Sequence, residues 1–179
     1  GRGLEFADYE WWFGVARRGG GVVLNSSVMV GAKRNAGAFG SLRVSLPEGG
    51  EVPLIDAASL YLLEESIVRS GGDTRTLWTM PQDWSGFELQ LEPWITKTGR
   101  AMAHATRSIG SVLDFEAILI DGAFPEDVRQ RLVRCVTLEL ARLDTRGMIP
   151  PRPEAARVGA NARALGAACA PIYAQYFLQ

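Results

Sequence analysis

The sequence predicts an α/β domain in which a mixed β-sheet is flanked by helices. Two aromatic and β-branched runs open the chain, and in its second half apolar strands alternate with amphipathic helices. That alternation implies parallel strands joined by right-handed crossovers. The chain has 179 residues, of which 47% are apolar, enough to enclose one core. We therefore expect one domain over 1–179 with the element order β-β-loop-α-α-β-α-β-α.

Charge and cysteine content exclude several classes of protein. The formal net charge is -1, so no overall basic field indicates nucleic-acid binding. Cys135 and Cys169 are the two cysteines, and both lie in apolar helical patterns. We expect buried, reduced thiols and a cytoplasmic location. No membrane partner is predicted, because no apolar run reaches the ~18–20 residues that span a bilayer. The chain begins without Met or a signal peptide, so we expect an upstream segment.

The first half of the chain contains the predicted hairpin and a long loop. Strands are predicted over 8–16 and 20–30, with a turn at 17–19. Residues 31–50 are rich in Gly, Ala and Ser and predict a long loop with a short strand at 41–46. Small residues in such a loop allow the backbone to approach a ligand closely.

Helix caps and apolar periodicity locate the remaining elements. Asp56 is predicted to cap a helix over 57–70 that Gly71 and Gly72 end. The other predicted elements are, in order, a helix over 87–109, a strand over 115–124, a helix starting at Pro125, a strand over 154–158 and a helix over 161–178.

His104 is the only histidine, and we interpret it as structural or solvated. Without a second histidine or a CxxC pair, no metal site is predicted. The segment "RRGGGVV" (17–23) is similar to a phosphate loop but leads into a strand, so a hairpin turn is the alternative. The five tryptophans can stack on sugar rings or fill the core and interfaces; they are Trp11, Trp12, Trp78, Trp84 and Trp94.

A second candidate site lies at "IDGAFPEDVR" (120–129), where a strand end, a glycine turn and a helix N-terminus follow one another. This arrangement can hold an anion or a nucleotide. Asp121 and Phe124 narrow it, and a simple strand–turn–helix connection is the alternative.

Four segments taken in order resemble the C-terminal lobe of the ROK (repressor/ORF/kinase) family, which contains sugar kinases and transcriptional repressors. They are "GGGVVLNSSVMVGAKRNAGAFGS", "IDAASLYLLE", "DFEAILIDGAFPEDVRQRLV" and "RVGANARALGAACAPI". The resemblance runs from about Tyr9 to Leu178. It implies an actin/hexokinase-like ATPase (ribonuclease H-like) fold.

The chain departs from the family at the sugar and zinc positions. Ala38 stands where active members carry the sugar-contacting Glu, and Ser41 where they carry the His that serves both sugar and zinc. The three-cysteine zinc segment is replaced by "PEGGEVPLI" (47–55). The Glu that follows it in the family aligns with Ile55, which leaves Asp56 one place away.

The nucleotide positions depart as well. The family's phosphate-binding Gly-Thr-Gly falls on 15–17, and its nucleotide-side Gly-Gly-Gly falls on Asp121, Gly122 and Ala123. The family's catalytic Asp, first phosphate loop and winged helix-turn-helix precede the part present here. The resemblance therefore implies a kinase-like lobe without kinase activity, cofactor or metal, most similar to zinc-lacking regulators.

The first functional hypothesis is the effector-binding and oligomerisation part of a sugar-responsive ROK transcriptional regulator. A sugar or sugar derivative would bind between this lobe and an N-terminal lobe absent from the chain, with Asn35, Ser41 and Asp56 lining the cleft. DNA would be contacted only through the missing N-terminal domain, and a homo-oligomer, as a dimer, is expected. A ROK sugar kinase and a ligand-free dimerisation module are the alternatives.

Overall fold

The computed structural model describes residues 6, 8–13, 20–47 and 49–156, and for 9–13 it describes the backbone alone. The predicted turn at 17–19, Cys169 and the predicted final helix lie outside the described residues. The strands are β1 (Tyr9–Phe13), β2 (Gly20–Leu24), β3 (Ser27–Met29), β4 (Arg43–Ser45), β5 (Glu51–Pro53), β6 (Ala117–Asp121) and β7 (Arg152–Ala155). The helices are α1 (Leu54–Ala57), α2 (Leu60–Arg69), α3 (Glu88–Gly110) and α4 (Glu126–Arg142).

A five-stranded mixed sheet forms the centre of the fold, with the strand order β3-β2-β1-β6-β7. The pairs β1–β2 and β2–β3 are antiparallel, whereas β1–β6 and β6–β7 are parallel. The expected parallel strands in the second half are confirmed. All five residues of β6 are buried, as its apolar sequence predicts for a strand covered on both faces.

The prediction of one strand over 20–30 is wrong, because the chain reverses at Asn25 and Ser26. Both residues have positive φ, 50° and 59°, which suits a two-residue hairpin turn. The Asn25 amide donates to Asp8 Oδ1 at 2.5 Å. Local turn chemistry therefore overrides the β-branched pattern, and β3 becomes an edge strand.

The prediction that Asp56 caps a helix is also wrong. Asp56 lies inside the short helix α1, and Ser59 occupies the N-cap position of α2. Two helices begin in a stretch where apolar periodicity indicates one. The predicted end is confirmed, since Gly71 has φ +81° and the Gly72 amide donates to the Ile67 carbonyl at 2.9 Å.

The two long helices lie against each other and against the sheet. The predicted helix over 87–109 is α3, and Pro93 lies within it without ending it. A Cβ at Gly99 would lie 2.8 Å from Cys135 Cβ, so this glycine lets α3 approach α4 closely. Within the described residues, no helix is long and apolar enough to cross a bilayer.

The remaining boundaries differ from the predictions by a few residues. The strand predicted over 115–124 is shorter than expected, since β6 covers only Ala117–Asp121. Phe115 and Phe124 are buried but lie outside this strand. The strand over 154–158 begins earlier, at Arg152. Pro125 occupies the N-cap of α4, one place before the predicted position. The strand inside 41–46 is β4, which pairs with β5.

Candidate functional site

The turn between β6 and α4 occupies the position at which open α/β sheets commonly bind ligands. β1, β6 and β7 are parallel, so their carboxyl ends meet at one edge of the sheet. β6 ends there at Asp121, and α4 begins five residues later at Glu126. The predicted nucleotide-side residues Asp121, Gly122 and Ala123 therefore lie together at this edge.

A buried ion pair closes this turn from within. Asp121 Oδ1 accepts from the Gly122 amide at 2.8 Å and lies 3.3 Å from Arg129 Nη2. The side chain of Asp121 is 0% exposed and that of Arg129 is 7% exposed. Arg129 also contacts the Glu126 carboxylate. The carboxylate at the strand end is thus neutralised by the protein itself.

Phe124 fills the space over the glycine. Its ring is buried, and a Cβ placed at Gly122 would overlap it. The Arg129 guanidinium lies 5.6 Å from the centre of the same ring, and the Trp84 ring meets it edge-on at 6.4 Å. Among the described residues, the Phe124 ring therefore occupies the space directly over Gly122.

The segment before α3 covers the turn from outside. Gln82 Nε2 donates to the Ala123 carbonyl at 3.1 Å and to the Leu77 carbonyl at 3.1 Å. Trp84 Nε1 donates to that Leu77 oxygen at 3.2 Å. One amide side chain therefore joins two segments that lie far apart in sequence.

Acidic residues occupy the amino end of α4. Glu126 and Asp127 lie in its first turn and are exposed. Carboxylates at this end interact favourably with the helix dipole and repel a phosphate that would otherwise bind there. Asp121, Glu126 and Asp127 thus place three carboxylates at this edge of the sheet, and Arg129 neutralises only part of their charge.

The glycine-rich loop after β3 packs backbone against backbone. Gly37 has φ +83°, and a Cβ there would lie 2.7 Å from the Gly20 carbonyl oxygen. A Cβ at Gly20 would lie 2.5 Å from the Phe39 ring. The small residues thus hold the loop against β2, whereas the sequence suggests close approach to a ligand.

The predicted ligand-binding residues Asn35, Ser41 and Asp56 are all exposed. Ser41 ends a turn at Phe39–Ser41 that packs against α1, where a Cβ at Gly40 would lie 3.5 Å from Ile55 Cβ. Ser41 and Asp56 therefore lie on neighbouring elements. Within the described residues, the three side chains make no hydrogen bond or ion pair, with one another or elsewhere.

An apolar hairpin stands where the resemblance places the zinc segment. Val44 of β4 and Leu54 of α1 are each 2% exposed and belong to the main core cluster. Arg43 Nη2 donates to the Glu51 carbonyl at 2.8 Å across the hairpin. In the described part of the chain, no group of three or more His, Cys, Asp and Glu side chains could hold a metal ion.

The two titratable groups singled out from the sequence are half-buried on α3 and α4. Burial lowers the pKa of His104 below its usual 6.5, and the charges of Arg100 and Arg107 lower it further, against a smaller opposing effect of Glu139. Burial raises the pKa of the free Cys135 thiol above 9.0. Cys135 is thus less buried than predicted.

The tryptophans divide between core and surface. Trp84 and Trp94 are buried, and Trp94 Nε1 donates to the Ser59 carbonyl at 3.0 Å. Trp78 is 47% exposed and donates to Glu64 at 2.9 Å. The side chains of Trp11 and Trp12 lie outside the described part of the structure.

The chain is similar to one curated relative over most of its length. It is 27% identical over 163 residues to the uncharacterized protein y4fQ of Sinorhizobium fredii, which covers 89% of this chain and 38% of that protein. The chain therefore spans well under half the length of this relative. No protein-family model matches the chain.

Solved ROK structures have the same fold. A ROK family protein from Streptococcus pneumoniae, in complex with sucrose, matches with a TM-score of 0.67 and 20% identity, over 92% of this chain and 57% of that one. A ROK hexokinase from Thermus thermophilus matches with a TM-score of 0.61 and 24% identity, over 91% and 56%.

A ROK family transcriptional regulator, a homologue of the E. coli MLC protein, matches with a TM-score of 0.57 and 16% identity, over 85% of this chain and 42% of that one. The structural neighbours thus include a sugar kinase as well as a transcriptional regulator. The fold predicted from the sequence is confirmed: this chain has the actin/hexokinase-like α/β fold of the ROK proteins.

Proposed function

We propose that this chain is the effector-binding and oligomerisation lobe of a sugar-responsive ROK-type transcriptional regulator and has no kinase activity. A sugar or sugar derivative binds at the surface formed by the Phe39–Ser41 turn, α1 and the loop that carries Asn35. An N-terminal lobe outside this chain completes the cleft, and DNA is contacted through a domain attached to that lobe. Ligand binding favours one closure state of the two lobes.

The closed turn after β6 is the observation that carries this proposal. Phosphoryl transfer needs donors and a metal ion around the phosphates. At the corresponding position this chain has Asp121 paired with Arg129, the Phe124 ring over Gly122, and carboxylates at the start of α4. The only buried cation in this turn is already engaged by carboxylates within the described residues. A nucleotide phosphate would meet net negative charge.

The exposed polar groups support the sugar-binding part of the proposal. Asn35 and Ser41 offer an amide and a hydroxyl, and Asp56 offers a carboxylate that can accept two sugar hydroxyls. Because these side chains have no internal partners in the described part, a ligand does not have to break an existing hydrogen bond. The sucrose complex of the S. pneumoniae ROK protein agrees with a carbohydrate as the ligand class.

A ROK sugar kinase is the second candidate, because a hexokinase is among the structural neighbours. In that case the phosphate-binding groups would come from the part of the protein outside this chain. The two candidates differ in one observable: a kinase forms a sugar phosphate from MgATP, and a regulator binds the sugar without turnover.

The proposal is tested on the full-length protein by isothermal titration calorimetry with a panel of hexoses and their derivatives. We expect saturable binding of at least one sugar, and about tenfold weaker binding by Asp56→Ala. Asp114→Ala, which removes an exposed carboxylate elsewhere, is the matched control. Complete absence of sugar binding by a folded full-length protein would favour the dimerisation module.

A further inference from the structure

An open cleft of about 520 Å³ lies on the flank of α3, away from the turn after β6. One wall is the end of β4 with Leu46 and Pro47, and the other is the exposed side of α3 from Pro93 to Arg100. Ala57 and Ala101 form its floor. Its volume lies within the range of sites that bind small molecules.

Small residues create the cleft. Ala57 is 1% exposed and Ala101 is 4% exposed, and both belong to the main core cluster. Their methyl groups leave room that a larger side chain would occupy. The hairpin wall is fixed by Val44, which is buried in the same cluster. The floor and this wall are therefore built from the core, which gives the cleft a defined shape.

Two cations at the rim have no partner among the residues that the structure describes. Lys97 and Arg100 line the cleft, are exposed, and make no hydrogen bond or ion pair within the described residues. Glu92 also lines the cleft, but its carboxylate lies 2.6 Å from Arg131 Nη2. Among the described residues that line the cleft, the charge that is not already paired is therefore positive.

His104 lies one turn beyond Arg100 on α3. The lowered pKa of its imidazole is caused first by burial and then by Arg100 and Arg107. Burial is therefore the larger cause, and the two arginines add positive charge near His104.

We infer that this cleft binds a small amphipathic anion: an apolar body against Leu46, Pro47 and Pro93, with a carboxylate or phosphate on Lys97 and Arg100. The apolar wall gives affinity by removing hydrocarbon surface from water, and the two cations select the charged end. The cleft adjoins the sugar surface proposed above, because Ala57 lies on α1, but the two cations that hold the anion lie on α3 and the inference does not depend on sugar binding.

Phenyl phosphate is the probe, titrated into the full-length protein by calorimetry. We expect saturable binding with a dissociation constant of about 1 mM, as suits a ligand of this size in an open cleft. Benzyl alcohol, which lacks the charge, and inorganic phosphate, which lacks the ring, should each bind at least about tenfold more weakly. Equal binding of either one would overturn the inference.

Two pairs of variants locate the binding. Arg100→Glu should weaken phenyl phosphate binding about tenfold. Arg134→Glu should leave it unchanged, because Arg134 is an exposed arginine on α4 that has no ion pair among the described residues and does not line the cleft. Thr96→Trp should block the cleft without changing charge, and Thr137→Trp on α4 is its control.

Thermal unfolding confirms that each variant is folded. Benzoate in place of phenyl phosphate distinguishes carboxylate from phosphate as the preferred group, and the stronger of the two defines the ligand class. Asn35→Ala should not affect binding of either probe, which separates this site from the sugar surface. The inference is wrong if neither probe saturates below ~20 mM, or if the control variants lose as much binding as the cleft variants.

Discussion

Polar side chains are buried and paired in the turn after β6, whereas those on the surface around α1 are exposed. In the turn, Asp121 and Arg129 are buried and paired, and a phenyl ring fills the remaining space. At the α1 surface, Ser41 and Asp56 are exposed and have no internal partner in the described part. A buried polar group costs free energy unless the protein satisfies it, whereas an exposed one exchanges water for a ligand easily.

The difference distinguishes a turn whose polar groups are buried and paired from a surface to which we assign the proposed binding role. The paired groups of the turn join the end of β6 to the start of α4, and our proposal holds that they do not bind a nucleotide. The exposed side chains of the α1 surface, by contrast, are the ones to which we assign the proposed binding of a sugar. Substitutions in the two regions should therefore change different quantities, the free energy of unfolding in the first and ligand affinity in the second.

The largest expected effect is at the buried pair. Arg129→Met leaves Asp121 buried without its cation, and we expect the free energy of unfolding to fall by about 3–5 kcal/mol. Urea denaturation of the full-length protein measures it. Asp121→Asn combined with Arg129→Met should recover part of this loss, because no unpaired charge remains.

An exposed pair provides the control for that substitution. Arg146 lies 2.5 Å from Asp144, but its side chain is 91% exposed. We expect no measurable change in stability for Arg146→Met, because solvent screens such pairs. If the two Arg→Met variants lose equal stability, the buried pair does not have the structural role described here.

The second effect concerns the glycine loop. Gly37→Ala combines strain from the positive φ with a clash against the Gly20 carbonyl, and we expect a loss of roughly 2 kcal/mol in the free energy of unfolding. Gly147 has φ +84° and nothing within 4 Å of an added Cβ. Gly147→Ala therefore measures the backbone strain of a positive φ without a steric clash. A loss at Gly37 no larger than at Gly147 would show that the loop yields to the added methyl group.

The third effect belongs to the open surface. Asn35→Ala and Ser41→Ala should each weaken sugar binding several-fold, because each removes one polar contact. We expect their free energy of unfolding to change by less than about 0.5 kcal/mol. Calorimetry and urea denaturation on the same samples separate the two quantities. If these variants lose stability but keep their affinity for the sugar, Asn35 and Ser41 have a structural role and not a binding role.

The smallest expected effect is a pH dependence of the free energy of unfolding that comes from the partly buried His104. Because its pKa is lowered in the folded protein, the unfolded chain takes up a proton at higher pH. The stability contribution is therefore constant above about 6.5 and decreases as the pH falls below the unfolded-state value near 6.5. His104→Gln should flatten this decrease in urea midpoints measured from pH 7.5 to 5; an unchanged slope would assign it to other groups.

Periodicity and composition were sufficient to predict α3, β6 and α4, because these elements are long or uniformly apolar. Turn chemistry was harder to recognise: Asn25 and Ser26 adopt a left-handed turn inside a β-branched run. Asp56 was misplaced as a cap, since a four-residue helix leaves no periodic pattern of its own.

The closed turn was only partly predictable. Asp121 and Phe124 indicated a narrowed site, but the pairing with Arg129 requires the geometry of the strand–turn–helix unit. An arginine next to Val128 and Leu132, on the buried side of α4, is the sequence feature that points to it. Gln82 lies 41 residues from its partner Ala123, and only the tertiary fold brings them together.

The central claim is that this lobe responds to a sugar without transferring phosphate. Its most direct test is incubation of the full-length protein with MgATP and each sugar that binds in calorimetry, followed by measurement of sugar phosphate. We expect no sugar phosphate above the enzyme-free reaction, together with saturable sugar binding. Sugar phosphate that accumulates in proportion to protein concentration would contradict the account and identify a sugar kinase.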